Sequence, residues 1–93
     1  MVFQNVMKPF GPQKSYLCPC CGFKTLHERG GYEICKVCFW EDDGQDDHDA
    51  DDVRGGPNYT LSLTEARRNF QKFGACEMRF IKNVRRPLPE EEQ

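Results

Sequence analysis

The sequence predicts a small α+β domain in which a β-hairpin carrying two Cys-x-x-Cys turns is followed by one packed C-terminal α-helix. Three observations predict this fold. Two Cys-x-x-Cys pairs stand 13 residues apart, the segment between them alternates apolar and polar residues, and residues 63–73 repeat apolar side chains at helical spacing. A chain of 93 residues is sufficient for one domain with a limited core.

The two Cys-x-x-Cys pairs are the strongest signal in the chain. A tight turn directs both sulfurs of a pair at one point, and two pairs complete a tetrahedral four-sulfur site of the kind that zinc favours. Gly22 follows the first pair, where a residue without Cβ can turn beneath the metal. The spacing therefore predicts one structural zinc ion in a zinc-ribbon or rubredoxin-like fold, with iron as the alternative metal, and the ligands Cys18, Cys21, Cys35 and Cys38.

Disulfide and redox chemistry are the alternatives to a metal. A disulfide framework needs an oxidising compartment, and residues 1–14 contain no apolar run of signal-peptide length. A redox dithiol of the thioredoxin kind needs a βαβ setting, which the sequence lacks.

Two cysteines remain outside the pairs. Cys20 is an inert turn residue, a partly exposed reactive thiolate or an alternative ligand, whereas Cys76 is expected to be a small buried residue.

The hairpin is predicted to pair residues 23–26 with residues 32–34 through a glycine-containing turn. Phe39 and Trp40 follow the last cysteine directly, and they either cover the sulfurs or form an exposed platform that recognises a partner.

Residues 1–14 are expected to be an irregular arm and residues 15–89 the single metal-binding domain. Residues 90–93 are expected to be a loose acidic tail.

Residues 41–52 contain eight acidic side chains and invite a calcium hypothesis. The EF-hand pattern fails when it is counted from Asp47, because Asp52 falls where glycine is required and Asn58 where the bidentate glutamate should be. A block of like charges usually stays in water. The segment is therefore predicted to be a solvated acidic loop, with the first acids, Glu41 to Asp43, as an exception where their closeness to the metal site sets them apart.

The helix at residues 63–73 has clear ends. Ser62 and Glu65 form a capping box, and Gly74 stands just past the last turn as a stop. One face is apolar and is expected to pack on the hairpin. The opposite face is basic and carries Arg67, Arg68 and Lys72.

The charge and motif content limit the possible functions. The formal net charge of −2 argues against a protein dominated by non-specific nucleic-acid binding. No apolar run approaches membrane-spanning length, so a soluble, cytoplasmic protein without membrane contact is expected. The sequence contains no Ser/His/Asp set, phosphate loop or acid–base pair, so we expect neither an enzyme nor a small-molecule substrate.

Several strings in the chain are similar to a known family. These are Cys18-Pro-Cys-Cys-Gly22, then Tyr32-Glu-Ile-Cys-Lys-Val-Cys-Phe-Trp-Glu-Asp-Asp43, then Leu61-Ser-Leu-Thr-Glu-Ala-Arg67. They resemble the bacterial cysteine-rich CPCC family over residues 16–87. The chain departs from the family pattern at Lys36, where proline is expected, and at Arg86. The resemblance implies a zinc-binding domain, and it implies no particular activity.

Together these observations predict a small zinc-stabilised binding module whose partner is a protein. The binding surface is expected to be either the basic helix face or the edge that runs from Trp40 to Asp52. The first alternative is nucleic-acid binding through Arg67, Arg68 and Lys72, since phosphate contacts need clustered cations. The second is thiol redox chemistry at Cys20.

Overall fold

The computed structural model describes residues 15–92, so the predicted arm at residues 1–14 lies outside the described part. The regular elements are strands β1 (Tyr16–Leu17) and β2 (Lys24–Leu26) and helix α1 (Leu63–Phe73). Within residues 15–92 the chain also forms four short 3-10 segments: Asp47–Asp49, Gly56–Asn58, Met78–Asn83 and Pro89–Glu91. Among the described residues, no helix is long and apolar enough to cross a membrane.

Strand β1 pairs with β2 in an antiparallel hairpin, with Tyr16 opposite Leu26. The predicted pairing of residues 23–26 with residues 32–34 is wrong. The first Cys-x-x-Cys turn itself closes the hairpin, because the Cys18 N–H donates to the Phe23 carbonyl at 2.8 Å and the Gly22 N–H to the Cys18 carbonyl at 2.8 Å. Gly22 takes a φ of +82°, which its lack of a Cβ permits.

The second Cys-x-x-Cys turn closes a hairpin-like loop of its own. Ile34 bridges to Glu41, and the Cys35 N–H donates to the Trp40 carbonyl at 2.9 Å. The Asp42 N–H donates to the Glu33 carbonyl at 3.0 Å, which extends the pairing by a further residue. Residues 32–34 therefore pair with the chain that follows the second turn, and the two cysteine turns are separate loops facing each other.

Helix α1 has the predicted ends. The Glu65 N–H donates to Ser62 Oγ at 3.0 Å, and the Ser62 N–H donates to Glu65 Oε1 at 3.4 Å, which confirms the capping box. Gly74 ends the helix at a φ of +83° and donates its N–H to the Phe70 carbonyl at 2.9 Å. Leu63 is fully buried, so the apolar face of the helix supplies part of the core.

Trp40 lies at the centre of the core and is completely buried, together with Leu26 and Leu63. Its indole N–H is also buried and meets no acceptor among residues 15–92. The hypothesis that Trp40 forms an exposed recognition platform is therefore wrong. Phe39 is part-buried, and its ring lies 4.6 Å from the ring of Phe80.

The acidic segment at residues 41–52 is folded: its first acids differ from the rest as expected, and the prediction of a solvated loop is wrong for Gln45 as well. Asp42 and Gln45 are completely buried. Arg29 holds this part of the chain by donating at 2.9 Å to Asp42 Oδ2, to Asp46 Oδ2 and to the Gln45 carbonyl. Arg54 holds the remainder through the Asp43 carbonyl, at 3.0 Å, and the Asp49 carboxylate. Arginines from outside the segment, on both sides of it, thus offset the repulsion between the acids.

The C-terminal residues also pack on the domain. Arg85 forms a two-pronged pair with the carboxylate of Glu91, at 2.8 and 2.9 Å, and the Arg85 N–H donates to the Lys36 carbonyl at 3.1 Å. The Arg85 guanidinium holds the pKa of Glu91 below its usual value by hydrogen bonding to the ionised form. The prediction of a loose tail is therefore wrong for Glu91.

Candidate metal centre

The four cysteines of the two pairs converge on one point. Their sulfur atoms all lie within 4.8 Å of one another, with Cys18 Sγ 3.6 Å from Cys38 Sγ and Cys21 Sγ 3.6 Å from Cys35 Sγ. A disulfide would need about 2.05 Å, and all six cysteines are unpaired thiols. A tetrahedral zinc or iron ion with bonds of about 2.3 Å places its sulfurs about 3.8 Å apart. The donor set therefore fits a four-sulfur metal site.

The surroundings of the cluster are nearly closed to solvent. Cys18, Cys35 and Cys38 are buried, and Cys21 is part-buried. Across residues 15–92 this is the one group of three or more cysteine, histidine or acidic side chains that could hold a metal ion. Four sulfurs complete a tetrahedron, which is the arrangement of structural rather than catalytic sites.

Three donors support the sulfurs of the second pair. The Val37 N–H lies 3.4 Å from Cys35 Sγ, and the Trp40 N–H lies 3.5 Å from Cys38 Sγ. The Thr25 hydroxyl, on β2, lies 2.9 Å from Cys35 Sγ and donates to it when the sulfur is ionised. Such partners orient and stabilise metal-bound thiolates. Sequence reasoning missed Thr25, because nothing in its spacing relates it to the cysteines.

The cluster cannot hold four negative charges by itself. Hydrogen bonds from the neighbouring thiols, that of Cys18 first, lower the pKa of Cys35 well below the usual thiol value. Hydrogen bonds with the neighbouring thiols, that of Cys18 first, raise the pKa values of Cys21 and Cys38 far above that value. One thiolate is thus stabilised at the expense of its neighbours. A cation is the component that would allow all four to ionise together.

The two remaining cysteines are buried outside this cluster. Cys20 is 7% exposed and Cys76 is 1% exposed. The hypothesis of a partly exposed, reactive Cys20 therefore lacks the exposure that it requires. Burial raises the pKa of Cys76, as expected for a thiol in the core. The Cys76 N–H donates to the Cys38 carbonyl at 2.7 Å and so ties the end of the helical region to the second cysteine turn.

The predicted basic face of α1 does not act as one surface. Arg67 donates to the Pro19 carbonyl at 2.8 Å and to Asp47 Oδ1 at 2.7 Å, so it joins the helix to the first cysteine turn and the acidic segment. Arg68 and Lys72 are exposed. Of the three cations predicted to contact a partner, Arg67 is thus engaged within the fold and the other two are accessible.

The fold and the cysteine cluster define a class: a small α+β domain organised around a four-cysteine group able to bind a metal ion. The model of the family described as Cysteine-rich CPCC matches residues 16–91. The chain therefore belongs to the cysteine-rich CPCC family, which confirms the resemblance found in the sequence. No curated protein and no solved structure matches the chain at a significant level.

Proposed function

We propose that this protein is a small cytoplasmic binding module whose fold is stabilised by one structural zinc ion and whose partner is a protein. The observation that carries the proposal is the convergence of four sulfurs within 4.8 Å. A structural zinc site contributes on the order of 10–16 kcal/mol, which is comparable to the whole stability of a typical domain. The metal would therefore hold together a chain with a small core.

The closed ligand set favours a structural role over a catalytic one. A catalytic zinc site keeps one position open for water or substrate, whereas four cysteines fill every position of a tetrahedron. We propose that the protein is not an enzyme on this ground. The cytoplasmic location is part of the same proposal, because six unpaired thiols persist best in a reducing compartment.

The ion pairs that the arginines form within the domain favour a protein partner over nucleic acid. Arg29, Arg54 and Arg67 each pair with a carboxylate of the acidic segment, so they are not available to phosphates. The remaining exposed cations are spread over several elements of a chain whose net charge is −2. Nucleic-acid binding stays the alternative, and it predicts retention on single-stranded RNA that falls steeply with salt.

The first experiment counts zinc by native mass spectrometry in protein purified without added metal, and then follows folding by circular dichroism after chelation. We expect one zinc per chain and loss of the fold when the metal is removed. The matched variants are Cys21→Ala, inside the cluster, and Cys20→Ala, its neighbour outside the cluster. The first should lose the metal and the second should retain it. A folded protein without metal, or equal metal loss in both variants, would contradict the proposal.

A further inference from the structure

Two adjacent cavities lie on either side of Val84 and Arg85, and together we call them the C-terminal groove. The first has a volume of about 450 Å³ and is lined by residues of the second cysteine turn, including Lys36 and Phe39, together with Lys82. The second has a volume of about 490 Å³ and is lined by the end of α1 and by Ile81 and Arg86. Both volumes fall within the range of cavities that bind ligands.

The walls of the groove are fixed by contacts within the domain. Gly74 turns the chain back after α1, and the 3-10 segment Met78–Asn83 then places Phe80 on the ring of Phe39 at 4.6 Å. The hydrogen bond from the Arg85 N–H to the Lys36 carbonyl, at 3.1 Å, holds the chain between the two cavities. A groove formed this way requires little ordering when a ligand arrives, which lowers the entropic cost of binding.

The groove combines apolar surface with unpaired positive charge. Phe39, Phe73 and Val84 line it, and Ile81 leaves 45% of its surface exposed beside them. No acidic residue lines either cavity in the described part of the chain. The groove contains four cations, of which Arg85 is neutralised by Glu91. The other three, Lys36, Lys82 and Arg86, form no ion pair within residues 15–92.

We propose that the C-terminal groove binds an acidic peptide segment that places large apolar side chains in the two cavities. This inference rests on the proposed function and specifies the partner's chemistry. Acidic side chains complement the three unpaired cations, whereas a basic or neutral segment would leave them without partners. Two separate cavities suit two apolar anchors, and the packing of Phe80 against Phe39 leaves less of the Phe39 ring for the stacking of a base.

The test begins with a displayed library of random 12-residue peptides selected on the zinc-loaded full chain. We expect the enriched peptides to be acidic and to carry at least two large apolar residues. Amide shifts of the labelled protein with the strongest of these peptides should concentrate at Lys36, Lys82 and Val84. Enrichment without a charge bias, shifts elsewhere on the domain, or no enrichment at all would each overturn the inference.

Matched charge reversals supply the second measurement. In the double variant Lys82→Glu with Arg86→Glu, we expect the affinity for the selected peptide to fall about tenfold, since each exposed cation contributes modestly. Lys24→Glu with Arg68→Glu makes the same change in charge at exposed positions outside the groove, and it should change the affinity less than about twofold. Equal losses in both double variants would refute binding in the groove.

Two further readouts separate the possible failures. A 12-nucleotide single-stranded RNA is tested for binding to the same protein. If it binds more tightly than the selected peptides, and loses affinity in the Lys82→Glu with Arg86→Glu variant, the ligand of the groove is nucleic acid and not an acidic peptide. Zinc content is measured on every sample. A zinc-loaded, folded protein that selects no peptide would contradict the groove inference but not the metal proposal. A folded protein without zinc would instead contradict the metal proposal.

Discussion

Replacing Arg29 by alanine should destabilise the domain more than any other single change to an arginine discussed above. Arg29 donates to the carboxylate of Asp42, which is completely buried. Removing one partner of a buried charge pair costs about 3–5 kcal/mol. In the variant, the Asp42 carboxylate still accepts hydrogen bonds from the N–H groups of Gly30, at 2.7 Å, and Gly44, at 3.1 Å. We therefore expect a loss of stability at the lower end of that range.

The other hydrogen bonds of Arg29 add to this cost. The bond to the Gln45 carbonyl, at 2.9 Å, contributes about 1 kcal/mol, and the pair with the more exposed Asp46 contributes less. The expected loss for Arg29→Ala is therefore about 4 kcal/mol. Against a typical domain stability of about 5–15 kcal/mol, such a loss is readily measured.

The assay is urea unfolding of the metal-loaded protein, with the same free zinc concentration in every sample. Arg68→Ala is the matched control, because Arg68 is exposed and forms no ion pair within the described residues. A difference of less than about 1 kcal/mol between Arg29→Ala and Arg68→Ala would refute the reasoning. Asp42→Asn combined with Arg29→Ala tests the mechanism, since a neutral amide removes the unpaired charge. The double variant should lose less than the sum of the single losses.

Three smaller predictions concern other contacts. Thr25→Val removes the hydroxyl beside Cys35 and should weaken zinc binding about tenfold in a chelator competition, whereas an unchanged affinity would exclude that role for Thr25. Gln45→Ala removes two hydrogen bonds to backbone carbonyls, at 2.9 and 2.8 Å, and should cost about 2 kcal/mol in urea unfolding; a loss below about 0.5 kcal/mol would contradict it. The Glu91 carboxyl should titrate by NMR below the ordinary value of 4.5. Because its folded pKa is depressed, its contribution to stability is present above pH 4.5 and is lost as the pH falls through the folded value. Arg85→Gln should raise that pKa, and an unshifted titration would mean that the pair does not form in solution.

The features that the sequence predicted correctly are local ones. The capping box of Ser62 and Glu65 and the stop at Gly74 depend on residues within one or two turns of each other. Each tight turn also brings its own two sulfurs together. The spacing of the two pairs predicts the four-cysteine group, but its assembly is a contact between two separate loops, with Cys18 near Cys38 and Cys21 near Cys35.

The features that the sequence did not predict depend on partners distant in the chain. Residues 41–52 are a run of like charges when read alone, and the burial of Asp42 depends on its ion pair with Arg29, 13 residues away. The sequence left open whether Trp40 covers the sulfurs or is exposed; the structure buries it in one core cluster with Leu26 of β2 and Leu63 of α1. The predicted strand pairing is wrong because it relies on a glycine-containing turn, a common hairpin signal, whereas each cysteine turn closes its own loop.

The bond from the Cys76 N–H to the Cys38 carbonyl, at 2.7 Å, has a consequence for the chain as it leaves the ribosome. Both cysteine turns emerge early, and they have all their sulfurs by residue 38. The segments that pack on the turns are made much later, since the Arg67 side chain donates to the Pro19 carbonyl and the Arg85 N–H donates to the Lys36 carbonyl. With the proposed zinc ion, the four sulfurs would therefore be available to the metal before the segments that cover them have been made. During that interval of synthesis the thiols would be accessible to oxidants and to competing metals, until the C-terminal third of the chain packs over them.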